Sequence, residues 1–217
     1  MPLTFLPPVP PSAPAPNRGP DDYLTMQQVT EEIAFERDGW GAERRHKVTE
    51  LFDALAPEWH TRGGEDRLRP TRDALARGGV PDGGLAVEIG SGTGIQTQPL
   101  LEKFEHVVSV DLSAGMLSLA PRRERVSLMR ADACELPLSP GSADAIVCVN
   151  AYLFPTEYAR VLRPHGRVVF VSTSGAQTPI YLPPEKVVSA VENVFGEVHA
   201  ISSAYEWSVW TIVTRSA

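Results

Sequence analysis

The stretch "VEIGSGTG", residues 87–94, sets three glycines and one carboxylate at the end of an apolar run. Glycine loses more chain entropy on folding than any other residue. A cluster of it is kept where backbone must approach something that a side chain would strike. The run that leads into it, "LAVEIG" (85–90), reads as a strand, and a helical spacer follows. Strand, glycine turn and helix together make a ligand site at the carboxyl end of a parallel sheet.

Downstream the same rhythm repeats. Strand candidates are "HVVSVD" (106–111), "VSLMRAD" (126–132), "ADAIVCVN" (143–150) and "GRVVFVS" (166–172), then "EVHAISSAYEW" (197–207) and "SVWTIVTR" (208–215). The first five, counted from residue 85, are continuous apolar runs, as in strands covered on both faces. The last pair has almost no linker and reads as an antiparallel hairpin at one edge. The expected fold is α/β: a Rossmann-like, doubly wound, mostly parallel seven-stranded sheet with a C-terminal antiparallel hairpin.

Upstream the pattern is helical. "LTMQQVTEEIAFERDG" carries Met26, Val29 and Ile33 on one face and stops at Gly39. "AERRHKVTELFDALAPEW" carries Val48, Leu51, Phe52 and Leu55, with Pro57 as its expected end. A third helix is expected from Asp66 to Arg77, with Pro70 near its first turn. Gly39 and Gly41 bracket an expected hinge at Trp40. Residues 1–20 contain eight prolines, which predicts an extended tail with no core of its own. The chain thus divides into a tail (1–20), a mobile helical lid (21–62) and a core (63–217).

At 217 residues the chain holds one full-sized domain and not two. Its formal charge of −7 argues against a nucleic-acid or anionic-membrane surface, since phosphate binding needs a basic excess. No apolar run approaches the ~18 residues of a membrane span. The start lacks a basic segment followed by an apolar one. Cys134 and Cys148 form no CxxC pair, and Cys148 reads as a buried free thiol. A cytoplasmic monomer or homodimer without a metal site is the expectation.

The ligand on the glycine loop can be narrowed. A dinucleotide fingerprint GxGxxG needs glycine at 95, where Ile95 stands. Glu88, two residues before Gly90, would repel a pyrophosphate but accept hydrogen bonds from a cationic amino acid. No GKS or GKT follows, which excludes a P-loop.

On these residues the chain resembles the class I S-adenosylmethionine-dependent methyltransferases, roughly over residues 45–215. "VEIGSGTG" matches their first motif and "VVSVDLSAGML" their second strand. "MRADACELPLSPGSADAIVCVN" matches the third and fourth strands, and "YARVLRPHGRVVFVS" the approach to the fifth. There His165 replaces the usual glycine of a PGG turn. "FDALAPEW" is similar to the segment that folds over the cofactor in small-molecule members.

The resemblance implies S-adenosylmethionine as cofactor and S-adenosylhomocysteine as product. Gly90, Ser91 and Gly92 would approach the methionine moiety, with Glu88 near its ammonium and Trp59 covering it. Asp111, 21 residues after Gly90, would hold the ribose hydroxyls; an NAD enzyme would use its acid the same way. Leu112 and Met116 would touch the adenine, Asp132 would accept from its amino group, and Ala133 would donate its N–H. Asn150 would meet the methionine carboxylate or the substrate, or else satisfy the strand end.

Methyl transfer is an in-line displacement that depends mainly on positioning. Tyr152 and His60 are the candidate catalytic groups. Tyr152 serves equally as core cover, and His60 equally as a solvated helix end. Tyr23, Phe35, Trp40 and Tyr181 are candidate lining residues of the acceptor pocket. The expected acceptor is a small molecule, methylated on oxygen or nitrogen ahead of carbon. The alternatives are a binding protein or cyclase that holds S-adenosylmethionine without transferring methyl, and then an NAD(P) oxidoreductase.

Overall fold

The computed structural model describes residues 3–12, 23–36, 38–59, 61 and 64–216. The elements in chain order are β1 (Leu3–Phe5), α1 (Tyr23–Phe35), α2 (Ala42–Trp59), α3 (Glu65–Arg77), β2 (Leu85–Ile89), α4 (Thr97–Leu101), β3 (His106–Asp111) and α5 (Ala114–Leu119). They continue with β4 (Val126–Arg130), β5 (Ala143–Val149), α6 (Pro155–Val161), β6 (Leu162–Ser172), α7 (Pro184–Phe195), β7 (Val198–Tyr205) and β8 (Ser208–Arg215). One sheet carries every strand in the order β1-β7-β8-β6-β5-β2-β3-β4.

All seven expected strands form, and β2 to β6 pair in parallel. In β2, β3, β5 and β6 the continuous apolar character follows from two-sided cover; β4, at the sheet edge, was expected to be covered in the same way but has no buried residue. Val87, Ile89, Val108, Val110, Ile146 and Cys148 pack on the side of α1, α6 and α7. Ala86, Val107, Ala145, Val147 and Val169 pack on the other side, against Ala74, Leu75, Leu100 and Trp210. The indole of Trp210 is fully buried and donates to Asp73 at 2.7 Å, which anchors α3 to β8.

Two features depart from the expected sheet. The closing hairpin does not form its edge: β8 lies between β7 and β6, antiparallel to both. The edge is β1, an eighth strand drawn from the proline-rich segment. Leu3, Thr4 and Phe5 pair in parallel with Ala200, Ile201 and Ser202. Val9 continues the contact by donating to the Ala204 carbonyl at 2.9 Å. An edge strand needs donors on one side only, so prolines are tolerated there, and an already extended chain loses little further freedom on docking. The rest of the expected tail, residues 13–20, lies outside the described residues.

Prolines also sit inside two helices rather than at their limits. Pro57 lies within the last turn of α2, where the missing N–H removes a single bond. Pro70 lies in the second turn of α3, with its ring buried against the core.

Strand β6 begins earlier than expected. Leu162 pairs with Ala143 and Arg167 with Ala145, which leaves a bulge between them. His165 in that bulge has φ +62° and is exposed. A left-handed backbone costs a non-glycine residue roughly 1–2 kcal/mol, part of which glycine's larger unfolded freedom offsets. His165→Gly is therefore expected to raise the melting temperature by about 1–4 °C. An unchanged or lower value would show that the imidazole holds the bulge through its own contacts.

The two helices expected to form a lid differ in attachment. Ile33 and Ala34 of α1 belong to the sheet's core, and Glu31 pairs with Lys186 of α7 at 2.5 Å. Only Ala56 of α2 is buried. Helix α2 instead meets α5 through Asp53, whose carboxylate accepts from Ser113 Oγ at 2.5 Å and from the Gly115 N–H at 2.9 Å.

Candidate functional site

At the carboxyl end of the sheet lies a cavity with about 1350 Å³ of empty space, its open mouth included. β2, β3 and β5 deliver their last residues to it, the loop after β4 adds Ala131, Asp132 and Ala133, and α2 roofs it. Trp59, Glu88, Gly90, Ser91, Gly92, Asp111, Leu112, Met116, Asp132, Ala133 and Asn150 all line it, as does Tyr152. His60 lies outside the described residues.

The loop after β2 takes its shape from glycine. Gly90 and Gly92 have φ of +63° and +56°, a conformation that L side chains rarely adopt. A Cβ on Gly92 would stand 3.7 Å from Trp59 Nε1 and 3.8 Å from Met116 Sδ, filling the gap between them. Asp111 braces this loop from the neighbouring strand. Its Oδ2 accepts from the Gly92 N–H at 2.7 Å, and its Oδ1 from the Ser113 N–H at 2.8 Å. Each oxygen keeps a further lone pair for a ligand hydroxyl.

Glu88 is 1% exposed. Its Oε2 accepts from Thr97 Oγ1 and Ser109 Oγ, both at 2.7 Å, while its Oε1 is buried without a partner. Burial pushes this carboxyl up to about 7, against the two hydroxyl donors, and the Asp111 charge adds to the rise. Ser91 Oγ and Thr93 Oγ1 are likewise buried without partners, and both residues line the cavity. Buried polar atoms are nearly always satisfied, so three open ones on one wall fit a polar ligand that completes them.

Much of the remaining cavity lining is apolar. Met26, Val48, Leu51, Phe52, Phe154 and Ile180 line it beside Trp40 and Tyr152. Phe52 meets Trp59 edge-on with ring centres 5.6 Å apart. Of the three expected lining aromatics whose side chains are described, Trp40 alone takes part. Phe35 lies outside under the ammonium of Lys186, 5.6 Å from its ring centre, and Tyr181 stands apart from the cavity. The side chain of Tyr23 is outside the described residues.

Two expected ligand contacts already have protein partners. Asn150 donates to Thr173 Oγ1 at 2.8 Å and accepts from the Thr173 N–H at 2.9 Å, which ties the end of β5 to β6. Asp132 accepts from Trp40 Nε1, Arg45 and the Cys134 N–H. Burial holds the Tyr152 phenol above its usual range, so near neutrality it is a hydrogen-bonding hydroxyl rather than a base. Both cysteines are free, and burial pushes each thiol up to about 12, which suits packing rather than nucleophilic chemistry.

Thr97 and Ser109, the hydroxyls that hold Glu88, were not singled out from the sequence. Ser109 had a signal: it is the one hydroxyl inside the apolar run "HVVSVD", and a buried hydroxyl needs a partner. Among the described residues, no group of three His, Cys, Asp or Glu is placed to hold a metal ion. No described helix is long and apolar enough to cross a membrane.

Residues 87–170 match a family model described as a methyltransferase domain. The chain is 30% identical over 151 residues to the demethylmenaquinone methyltransferase of Clavibacter sepedonicus, covering 62% of this chain and 61% of that protein. It is 33% identical over 155 residues to the enzyme of the same name from Beutenbergia cavernae, covering 64% and 62%. The chain therefore spans less than two thirds of either relative's length. A solved S-adenosylmethionine-dependent methyltransferase from Aquifex aeolicus aligns with a TM-score of 0.63 at 14% identity, covering 74% of this chain and 98% of that one. That likeness is one of fold.

Proposed function

We propose that the chain is a class I S-adenosylmethionine-dependent methyltransferase that methylates a small apolar acceptor on oxygen or nitrogen, a reading supported by the methyltransferase-domain match. S-adenosylmethionine, when bound, supplies a methyl group on a positively charged sulfur. The observation that carries this reading is the polar wall of the cavity, where Glu88, Ser91 and Thr93 leave buried atoms open beside the glycine loop.

The proposed roles follow from that wall. Glu88 Oε1 and Ser91 Oγ take the amino-acid end, and Asp111 takes a diol with its remaining lone pairs. Trp59 and Met116 bracket the gap at Gly92, and Asp132 with Ala133 meets the base. Met26, Leu51, Phe52 and Tyr152 surround the acceptor and exclude water, so the protein's part is to align the acceptor atom. Acceptor selection here rests on apolar and aromatic contact, which favours a flat, neutral molecule.

Purified protein with methyl-labelled S-adenosylmethionine and a panel of phenols, arylamines and quinols tests this. Label on the oxygen or nitrogen of an apolar aromatic acceptor is the expected result. Label on a ring carbon would support a second reading, which the demethylmenaquinone methyltransferase relatives favour. Tight S-adenosylmethionine binding without label in any acceptor would point to the non-methylating alternative.

A further inference from the structure

The corner between α1 and α2 was expected to hinge at Gly39, but it is filled. A Cβ on Gly39 would run into the Glu32 carbonyl. Arg44 donates to the Gly39 carbonyl at 2.6 Å and pairs with Glu32. Earlier in α1, Val29, Ile33 and Ala34 pack on the sheet's core. Helix α1 is therefore a fixed wall, and Met26 in its first turn lines the cavity.

The stretch after β6 supplies another wall, since Thr173 and Ile180 also line the cavity. Between them runs a single 3-10 turn, Gly175–Gln177. The start of this stretch is held from the sheet. Asn150 bonds the Thr173 N–H and hydroxyl, and Ser208 Oγ donates to the Thr173 carbonyl at 2.9 Å. Its far side is held from α1. Gln27 Nε2 donates to the Ala176 carbonyl at 3.0 Å and to the Thr178 carbonyl at 3.3 Å. Both partners only accept, so the amide nitrogen faces them, and its two hydrogens match the two carbonyls. Among the described side chains of residues 25–30, that of Gln27 alone hydrogen-bonds outside its own helix.

We propose that Gln27 is a positioning residue that sets the size of acceptor the cavity takes, by stapling the loop of Ile180 to the wall of Met26. The inference rests on the reading that the apolar lining of the cavity holds the acceptor. Gln27 does not line the cavity itself and acts through its neighbours. Met26 stands directly before it, and Ile180 follows Thr178 by two residues, so the two bonds fix the spacing of these apolar side chains. Other anchors remain when the amide is removed. Thr178 Oγ1 accepts from the Ser174 N–H at 3.2 Å, and the Tyr181 N–H reaches the Thr178 carbonyl at 3.0 Å. Without the staple the loop stays folded but can move outward and admit a broader ring.

The test is titration calorimetry of the protein saturated with S-adenosylhomocysteine, with phenol and 2-naphthol as one-ring and two-ring probes. Gln27→Met keeps the length of the side chain without its donor. Gln27→Glu keeps its shape and sets a carboxylate against the two carbonyls. In both, the ratio of the two affinities should shift about tenfold toward 2-naphthol, with S-adenosylhomocysteine affinity within about twofold of wild type. Gln27→Lys restores N–H donors at similar reach and should return the ratio to near the wild-type value. The amides of residues 177–181 should exchange faster in the first two variants and not in the third. Folded Gln27→Met and Gln27→Glu variants that keep the wild-type ratio would overturn the proposal. Loss of S-adenosylhomocysteine binding in step with probe binding would also overturn it, because Gln27 would then support the fold at large. A wild type that binds neither probe, with or without S-adenosylhomocysteine, would overturn it together with the reading of the acceptor pocket.

Discussion

Replacing Asp111 by alanine is expected to weaken S-adenosylhomocysteine binding by roughly ten- to a hundredfold. A carboxylate at a strand end that accepts from a diol makes charge-assisted hydrogen bonds worth roughly 1.5–3 kcal/mol. The structure adds a second consequence that spacing alone does not suggest. The same carboxylate holds the Gly92 and Ser113 N–H groups, so the variant loosens the glycine loop and the start of α5 even without ligand. Burial holds Asp111 above the usual carboxylate range, so the relief of desolvation offsets part of that loss. The melting temperature of the free protein should fall by about 3–8 °C. Asp111→Asn keeps one acceptor oxygen and should recover part of the stability but little of the affinity. Lower stability with unchanged affinity would make Asp111 a brace for the loop and nothing more.

Glu88 should give the cofactor end a distinctive pH dependence. Its carboxyl sits at about 7 in the fold, raised by burial from an ordinary value of 4.5. A raised carboxyl favours the protonated fold. Its contribution to stability is fully present below about 4.5 and is lost as pH rises through 7. The free protein should therefore lose stability across that window, and Glu88→Gln should flatten the slope. A ligand ammonium beside Oε1 works the other way, because it favours the charged carboxylate. Affinity for S-adenosylhomocysteine should rise about tenfold or more from pH 5.5 to pH 8, with a proton released on binding near pH 6–7. Calorimetry in buffers of different ionisation enthalpy detects that proton. A Glu88→Gln variant with the wild-type pH profile would remove Glu88 from the ligand's surroundings.

The sheet was legible because strands covered on both faces leave continuous apolar runs, and each run from Leu85 onward became a strand. The glycine loop was legible because φ near +60°, as at Gly90 and Gly92, strongly favours glycine. β1 was not, since a three-residue edge strand among prolines has no periodicity and is fixed by an edge 197 residues away that only the folded sheet creates. The grip of Trp40 on Asp132 was hidden for the same reason: the partners are 92 residues apart, and no local pattern joins them. Asn150 shows a different limit. An amide at a strand end can face a ligand or a neighbouring backbone; Asn150 bonds the Thr173 N–H and hydroxyl and also lines the cavity, so spacing could not show both contacts at once.

Titration calorimetry of the wild-type protein with S-adenosylhomocysteine and, separately, NADH measures most directly what the glycine loop was shaped to hold. Micromolar binding of S-adenosylhomocysteine and none of NADH is the predicted result, because Glu88 opposes a pyrophosphate and Ile95 stands where a dinucleotide loop needs glycine. Micromolar binding of NADH with none of S-adenosylhomocysteine would contradict it.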